Sequence, residues 1–304
     1  MDALERDFYE ERRRKWRRSA FWRGFFVALF LLIALGVALS LTGLETARDH
    51  VARVSIDGFI GESRERDEML DEIAESDTAR AVILRINSPG GTTAGAEALY
   101  AALRRVAAEK PVVAVMSEVA ASGGYVAALG ADHIVARGNT LTGSIGVIME
   151  YPDLTRVMDR IGVEMETVRS SPLKAEPSPF RPTSPAAREV SEEMVADSYA
   201  WFRGLVAERR GLEGEALSDV TNGAVFTGRI ALENGLVDEI GGETEAIAWL
   251  ESREPELSDL PVVNWEREEQ GPELARILGK LGASSGILGE ISRWQGAKLY
   301  SIGP

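Results

Sequence analysis

The chain has 304 residues, of which 45% are hydrophobic and 27% are charged, a composition typical of a folded protein with a substantial core. Its formal net charge of −14 argues against nucleic acid as a partner, because phosphate binding needs a basic face. The absence of cysteine excludes disulfides, cysteine-ligated metals and thiol catalysis. Only two histidines occur, so neither a multi-histidine metal site nor any cofactor is expected.

The N-terminal region has the pattern of a membrane anchor. Residues 1–24 form a segment rich in arginine, and residues 25–42 are almost wholly apolar. A transmembrane helix needs roughly 17–25 apolar residues, and a basic flank stays in the cytoplasm. The pattern predicts a single-pass protein of the inner (cytoplasmic) membrane, with a cytoplasmic N-terminus, a linker at residues 43–50 and an extracytoplasmic domain. A cleaved signal peptide is the alternative, although its apolar region usually has only about 7–15 residues.

In the predicted extracytoplasmic part, short apolar runs alternate with longer amphipathic segments. Short runs rich in β-branched residues predict strands at 51–56, 81–86, 112–116, 133–136 and 163–168. Apolar residues spaced three and four apart predict helices at 67–74, 95–108, 153–161 and 184–208. Alternating strands and helices indicate an α/β fold with a mainly parallel sheet. We expect one domain at residues 51–250, followed by a helical, assembly-related extension at 251–304.

Three glycine-containing turns follow predicted strands: NSPGG at 87–91, AASGGY at 120–125 and LTGSIG at 141–146. Small residues flank Ser122 in the second turn, and a helix follows it. Nucleophile turns are built in this way, because removing bulk lets the substrate reach the hydroxyl while the helix N-terminus supplies N–H donors. Each turn also has a plain structural explanation, namely a tight connection, a helix N-cap at Ser122, or a loop.

A serine nucleophile needs a base that accepts its proton. His133 opens a predicted strand and His50 lies at the predicted membrane exit, so both are poor candidates. Lysine can act as the base if burial lowers its pKa, whereas arginine stays protonated. Among the five lysines, Lys174 is the one in the exported core that lies outside helix ends and the tail. It occupies a proline-rich loop, and a solvated loop charge is the alternative explanation.

Four of these segments together resemble the signatures of the signal peptide peptidase A family and occur in the order found there. They are NSPGG at 87–91, ASGGY at 121–125, TGSIGV at 142–147 and SSPLK at 170–174. A later segment, residues 223–238, is also similar to that family, so the resemblance covers about residues 51–250. Four ordered signatures are highly specific, whereas one alone would be weak.

The resemblance implies a crotonase- or Clp-protease-like spiral of ββα units and a serine endopeptidase. Ser122 would attack the scissile carbonyl and Lys174 would accept its proton. Gly91 and Gly123 would donate backbone N–H groups to the oxyanion, and Ser144 would orient the lysine amine. The implied substrates are cleaved signal peptides and other unfolded apolar peptides. The implied assembly is a homo-oligomeric ring or dome of eight subunits, in which neighbouring subunits supply the serine and the lysine.

The sequence departs from the family pattern around the lysine. Ser171 replaces the usual glycine, Pro172 follows it, and Ala175 stands where a polar residue is common. Two rival functions share some of these features. A crotonase-like acyl-CoA enzyme would have the same fold and oxyanion hole but would normally use a glutamate, and a non-catalytic membrane scaffold would use the dyad residues only structurally.

Overall fold

The computed structural model describes residues 22–33 and 48–266. Residues 22–33 are helical (α1), and their side chains are exposed. Within these two ranges, no helix combines the length and the apolar character needed to cross a membrane. The predicted anchor at 25–42 and linker at 43–50 lie only partly inside the described residues, as does the predicted extension at 251–304. The chain divides into a unit of residues 1–265 and a unit of residues 266–304.

The other helices and strands that the structure describes all lie in the first unit. The strands are β1 (His50–Ile60), β2 (Ala79–Gly91), β3 (Val112–Ala121), β4 (His133–Ala136), β5 (Leu141–Gly143), β6 (Val225–Thr227), β7 (Glu239–Ile240) and β8 (Val262–Asn264). The helices are α2 (Arg64–Glu75), α3 (Thr93–Glu109), α4 (Gly123–Leu129), α5 (Thr155–Ile161), α6 (Pro185–Arg210), α7 (Gly214–Val220), α8 (Gly228–Glu233) and α9 (Glu243–Arg253).

The strands form one mainly parallel sheet in the order β6-β5-β3-β2-β1-β8, and β4 and β7 extend it from β3. Only β5 and β6 pair antiparallel. β3 pairs with β4 through its first half and with β5 through its second half, so the sheet branches at β3. The last residues of β2 and β3 pair with each other, Ser88 beside Ala120, which brings two of the glycine turns to the same edge.

Both faces of the central strands are buried, which explains their continuous apolar sequences. On one face, residues such as Val54, Leu84 and Ala114 pack in a large core with α2, α3, α4 and α6. On the other face, residues such as Ile83 and Val113 pack with α9. Residues 255–264 belong to the same sheet unit, because Leu257 is buried in the second core and β8 pairs with β1.

The predicted α/β class is confirmed, as are four of the five predicted strands and the four predicted helices, with changed bounds. The strand predicted at 163–168 is wrong. That segment forms no strand, and Val168 is 96% exposed. Its alternating apolar residues have the pattern of a half-buried strand, but no strand of the described chain lies beside it to complete the hydrogen-bonding ladder. Residues 141–143, predicted as part of a loop, form β5 instead.

Candidate active site

Ser122 lies in a strained turn between β3 and α4. Its φ of 52° and ψ of −120° are uncommon for a residue with a side chain, and such conformations cost of order 1–3 kcal/mol. The Ser122 N–H donates to the Gly143 carbonyl at 2.9 Å, which ties the turn to β5. The hydroxyl makes no capping hydrogen bond to α4, so the helix-cap explanation does not account for this serine.

The glycine turn at the end of β2 packs directly against Ser122. A Cβ added at Gly90 would lie 2.9 Å from both Gly123 N and Ser122 Cβ, so only glycine permits this approach. A Cβ added at Gly123 would lie 3.1 Å from Gly91 N. The backbone N–H groups of Gly91 and Gly123 are therefore neighbours beside the serine, although 32 residues separate the two glycines in the sequence.

Ser122, Gly91 and Gly123 line one cavity of about 280 Å³. The start of α3, the loop after β5 and the middle of α6 supply the other walls. Their lining residues are Thr92, Thr93, Ala96, Val126, Gly146, Val147, Ile148, Trp201 and Phe202. The cavity presents polar and apolar surface in about equal measure, and its lining residues supply the Ser122 hydroxyl and the backbone N–H groups of Gly91 and Gly123. That arrangement suits a carbonyl group that becomes an oxyanion during attack by the serine.

Lys174 and Ser144, the other two predicted site residues, do not line this cavity. Lys174 is exposed, and its backbone N–H closes a turn with the Ser171 carbonyl at 3.2 Å. Ser144 directly follows β5 with φ 51°, and its N–H donates to the Ala224 carbonyl at 2.7 Å. The structure of the single chain thus brings together three of the five predicted residues.

Comparison with known proteins identifies the enzyme family to which this chain belongs. The profile of Peptidase family S49 matches residues 104–257. A Synechocystis protein named as a protease is 34% identical over 239 residues, which make up 77% of this chain and 84% of that protein. The chain belongs to peptidase family S49.

This S49 chain is therefore a serine-type peptidase. An Enterococcus faecium protein named as the signal peptide peptidase SppA is 32% identical over 230 residues, covering 75% of this chain and 64% of that protein. Among solved structures, a mutant of the 1510-N membrane-bound stomatin-specific protease is 18% identical, with a TM-score of 0.48. The match covers 73% of this chain and 99% of that one.

The other candidate bases of this S49 peptidase have structural contacts. His50 is fully buried, with Nδ1 2.8 Å from the Arg48 carbonyl, and its Nε2 accepts a hydrogen bond from Trp265 Nε1 at 2.9 Å. His133 stacks on Trp249 and lies 3.3 Å from a Glu239 oxygen. Neither histidine is among the described residues that line the Ser122 cavity.

Lys110, at the end of α3, is also held by structural contacts. Its ammonium donates to the carbonyls of Ile73, Ser76 and Ala79 at 2.6–2.9 Å, and burial lowers its pKa. It therefore joins the end of α2 to the start of β2. Within the described ranges, no group of three or more histidine or acidic side chains could hold a metal ion.

Sequence reasoning missed the far wall of the cavity. Trp201 and Phe202 come from α6, about 80 residues beyond Ser122, and no motif surrounds them. Their positions within α6 follow an ordinary amphipathic pattern, which predicts burial but not what the residue is buried against. Thr92 was also missed, because its clearest role is to cap α3 by accepting from Gly95 N at 3.1 Å.

Proposed function

We propose that this chain is a membrane-anchored Ser–Lys endopeptidase that degrades cleaved signal peptides and other unfolded apolar peptides. One observation carries the proposal: a strained Ser122 lies in one cavity with the adjacent N–H groups of Gly91 and Gly123. The order of the four sequence signatures supports the same reading, and so does the enterococcal relative's name. The finer fold that we propose is the crotonase- and Clp-protease-like spiral.

In this mechanism Ser122 Oγ attacks the scissile carbonyl, and the carbonyl oxygen receives hydrogen bonds from Gly91 and Gly123. Each such donor can lower the barrier by about 3–4 kcal/mol, because it is already oriented when the charge develops. The proton of Ser122 passes to neutral Lys174, which later donates it to the leaving amine. Ser144 would accept or donate a hydrogen bond at the lysine amine and hold it in place.

We propose that a neighbouring copy of the chain supplies the lysine. The exposed position of Lys174 and its absence from the cavity lining support this assembly. Large apolar side chains are also exposed throughout residues 148–180, as they would be at an uncovered subunit interface. They are Ile148, Met149, Val157, Ile161, Val163, Met165, Val168, Leu173 and Phe180. A closed homo-oligomeric ring, of eight subunits in our proposal, would cover them.

Two further features support the proposed substrate and location. The basic segment and the apolar run at 25–42 would anchor the chain, and a linker of about eight residues would keep the domain near the bilayer. A second groove of about 770 Å³ shares Gly146, Val147 and Ile148 with the Ser122 cavity and continues along α6. An extended apolar peptide leaving the membrane would fit such a groove, with alternate side chains in its pockets.

Mixed assemblies of two inactive variants test the proposal. Ser122→Ala and Lys174→Ala should each lose nearly all peptide hydrolysis while still assembling. When the two are co-expressed, a subunit with intact Ser122 can lie beside one with intact Lys174. Random mixing in a ring then restores about one quarter of wild-type activity, measured with an unfolded apolar peptide. Substantial hydrolysis by Lys174→Ala alone would remove the lysine from the mechanism.

Covalent labelling separates the proposal from its rivals. A fluorophosphonate should label the wild-type chain at Ser122 and should fail to label Ser122→Ala. A crotonase-like acyl-CoA enzyme or a scaffold protein would not be labelled at this serine, because neither has a base poised to activate it. An unlabelled wild-type chain that is correctly assembled would contradict the proposed mechanism.

A further inference from the structure

Two arginines and one glutamate enclose the loop that carries Lys174. Glu176 Oε1 accepts hydrogen bonds from Arg169 Nη1 at 2.6 Å and from Arg181 Nε at 2.7 Å. The Glu176 side chain is only 6% exposed although its loop is at the surface. We call these three residues the carboxylate clamp. Charge-assisted hydrogen bonds of this length are about twice as strong as neutral ones.

The clamp also holds the backbone on both sides of Lys174. Arg169 Nη1 donates to the Pro172 carbonyl at 2.7 Å, and Arg181 Nη2 donates to the Ala175 carbonyl at 3.1 Å. Ala175 has a φ of 61°, a left-handed conformation that a residue with a Cβ rarely adopts. The hydrogen bond from Arg181 to the Ala175 carbonyl therefore stabilises a backbone conformation that alanine itself disfavours. Lys174 is thus flanked by two fixed carbonyls, while its own side chain stays exposed.

This arrangement differs from an ordinary surface ion pair. Exposed pairs contribute little, because two flexible side chains must be ordered in water. Here the shared carboxylate is buried, and the hydrogen bond from Arg181 is the main reason that the pKa of Glu176 lies below its usual value. Its carboxylate therefore stays ionised at neutral and alkaline pH, where a lysine base operates. The contacts that it makes are lost only when the pH falls through that lowered pKa.

We propose that Glu176, with Arg169 and Arg181, is a positioning residue that presents Lys174 to the serine site. The inference rests on the proposed role of Lys174 as the base. A lysine side chain is long and flexible, and a misplacement of about 1 Å can cost about 10²-fold in rate. A rigid loop backbone reduces the volume that the amine explores. The clamp supplies that rigidity through its contacts to the backbone on both sides of Lys174.

The test compares kcat and KM in two variants of the full-length, assembled protein. Glu176→Gln keeps the size of the side chain but removes its charge. Arg181→Lys keeps the charge but cannot reproduce the two contacts made by Nε and Nη2. Each should lower kcat by about 10- to 100-fold with KM within about twofold, because the base is misplaced while substrate binding is unchanged. Glu189→Gln makes the same chemical change at an exposed glutamate of α6 and should leave both constants unchanged.

Three results would overturn the inference. The first is a kcat within about twofold of wild type in both Glu176→Gln and Arg181→Lys. The second is a loss of kcat that occurs together with loss of the oligomer in light scattering, which would make the clamp merely structural. The third is a double variant, Lys174→Ala with Glu176→Gln, that is much less active than Lys174→Ala alone. A residue that acts only through Lys174 should have no further effect on activity once Lys174 has been removed. Failure of the proposed function is recognised separately, by an active Lys174→Ala variant.

Discussion

At Ser122 and Gly123 the proposed active site depends on the conformation of the main chain as much as on the side chains. Ser122 is held with a positive φ by its N–H bond to β5 and by the close approach of Gly90. That strain turns the hydroxyl away from capping α4 and leaves it in the cavity. Gly123 has a different requirement: its own φ is not positive, and the close approach of Gly91 N and Ala96 Cβ restricts a side chain there.

Substitution of Gly123 should therefore separate activity from folding. In Gly123→Ala the new Cβ lies 3.1 Å from Gly91 N and 3.2 Å from Ala96 Cβ, a tight but tolerable fit. It blocks the two donors, so we expect kcat to fall by about 10²–10³-fold. The melting temperature should change little. Steady-state kinetics and thermal unfolding of the same preparation check both effects.

Gly204→Ala is the matched control for that substitution. Gly204 is an exposed position in α6 with no atom within 4 Å of an added Cβ. Alanine there should increase stability by about 0.5–1 kcal/mol, because it lowers the backbone entropy of the unfolded chain. Its activity should equal that of wild type. A Gly123→Ala variant with wild-type kcat would show that the Gly91 and Gly123 donors do not bind the oxyanion.

Among the elements, the region between β5 and α6 differs from the rest of the sheet unit. It contains one short helix, α5, with no buried residue, and it exposes apolar side chains that elsewhere would be in a core. The predicted strand at 163–168 falls in this region. An apolar strand pattern without a partner strand is consistent with a segment that pairs or packs only in the assembly.

Charges placed on this region should break the assembly without unfolding the domain. Val168→Glu and Ile161→Glu alter side chains that are 96% and 68% exposed, so the single chain loses little packing. In the assembled protein they would bury a charge, which is costly when it is unpaired. We expect a smaller species in light scattering and a fall of about 10²-fold or more in peptide hydrolysis, because the lysine no longer reaches the serine.

Ile230→Glu is the control, since Ile230 is a 43% exposed residue of α8 outside this region. It should keep the wild-type mass and activity. Wild-type mass and activity in Val168→Glu and Ile161→Glu would contradict an interface at residues 148–180.

At the scale of the whole molecule, charge and apolar character are separated along the chain. The basic groups of residues 1–24 precede the apolar run, whereas the rest of the chain is acidic. The groove beside the Ser122 cavity has a mainly apolar surface, and the cavity itself is about half apolar. With the membrane anchor proposed above, this layout would suit apolar peptides close to a membrane better than charged, folded proteins.

This layout and a lysine base together predict the substrate preference and the pH dependence. Unfolded peptides rich in leucine and alanine should be cleaved much faster than a folded, charged protein. Because an amine base must be neutral to accept a proton, kcat/KM should rise as the pH increases. A kcat/KM profile that peaks below about pH 6 would exclude a lysine base, since even a buried lysine seldom titrates lower. Rapid cleavage of the folded protein would count against the substrate but not against the dyad.

The sequence by itself determined the class of the fold and the residues at the ends of β2 and β3. Buried parallel strands have continuous apolar sequences, and glycine turns are visible as motifs, so the local pattern indicated the turns and made Ser122 a candidate nucleophile. The roles of Gly91 and Gly123 came from the family resemblance of the four ordered signatures. Tertiary structure decided how these residues meet. The pairing of β2 with β3 makes Gly91 and Gly123 neighbours, α6 closes the cavity with Trp201 and Phe202, and Glu176 joins two arginines around Lys174. Those contacts join residues through space, and sequence periodicity records only whether a side chain is buried, not which side chain it is buried against.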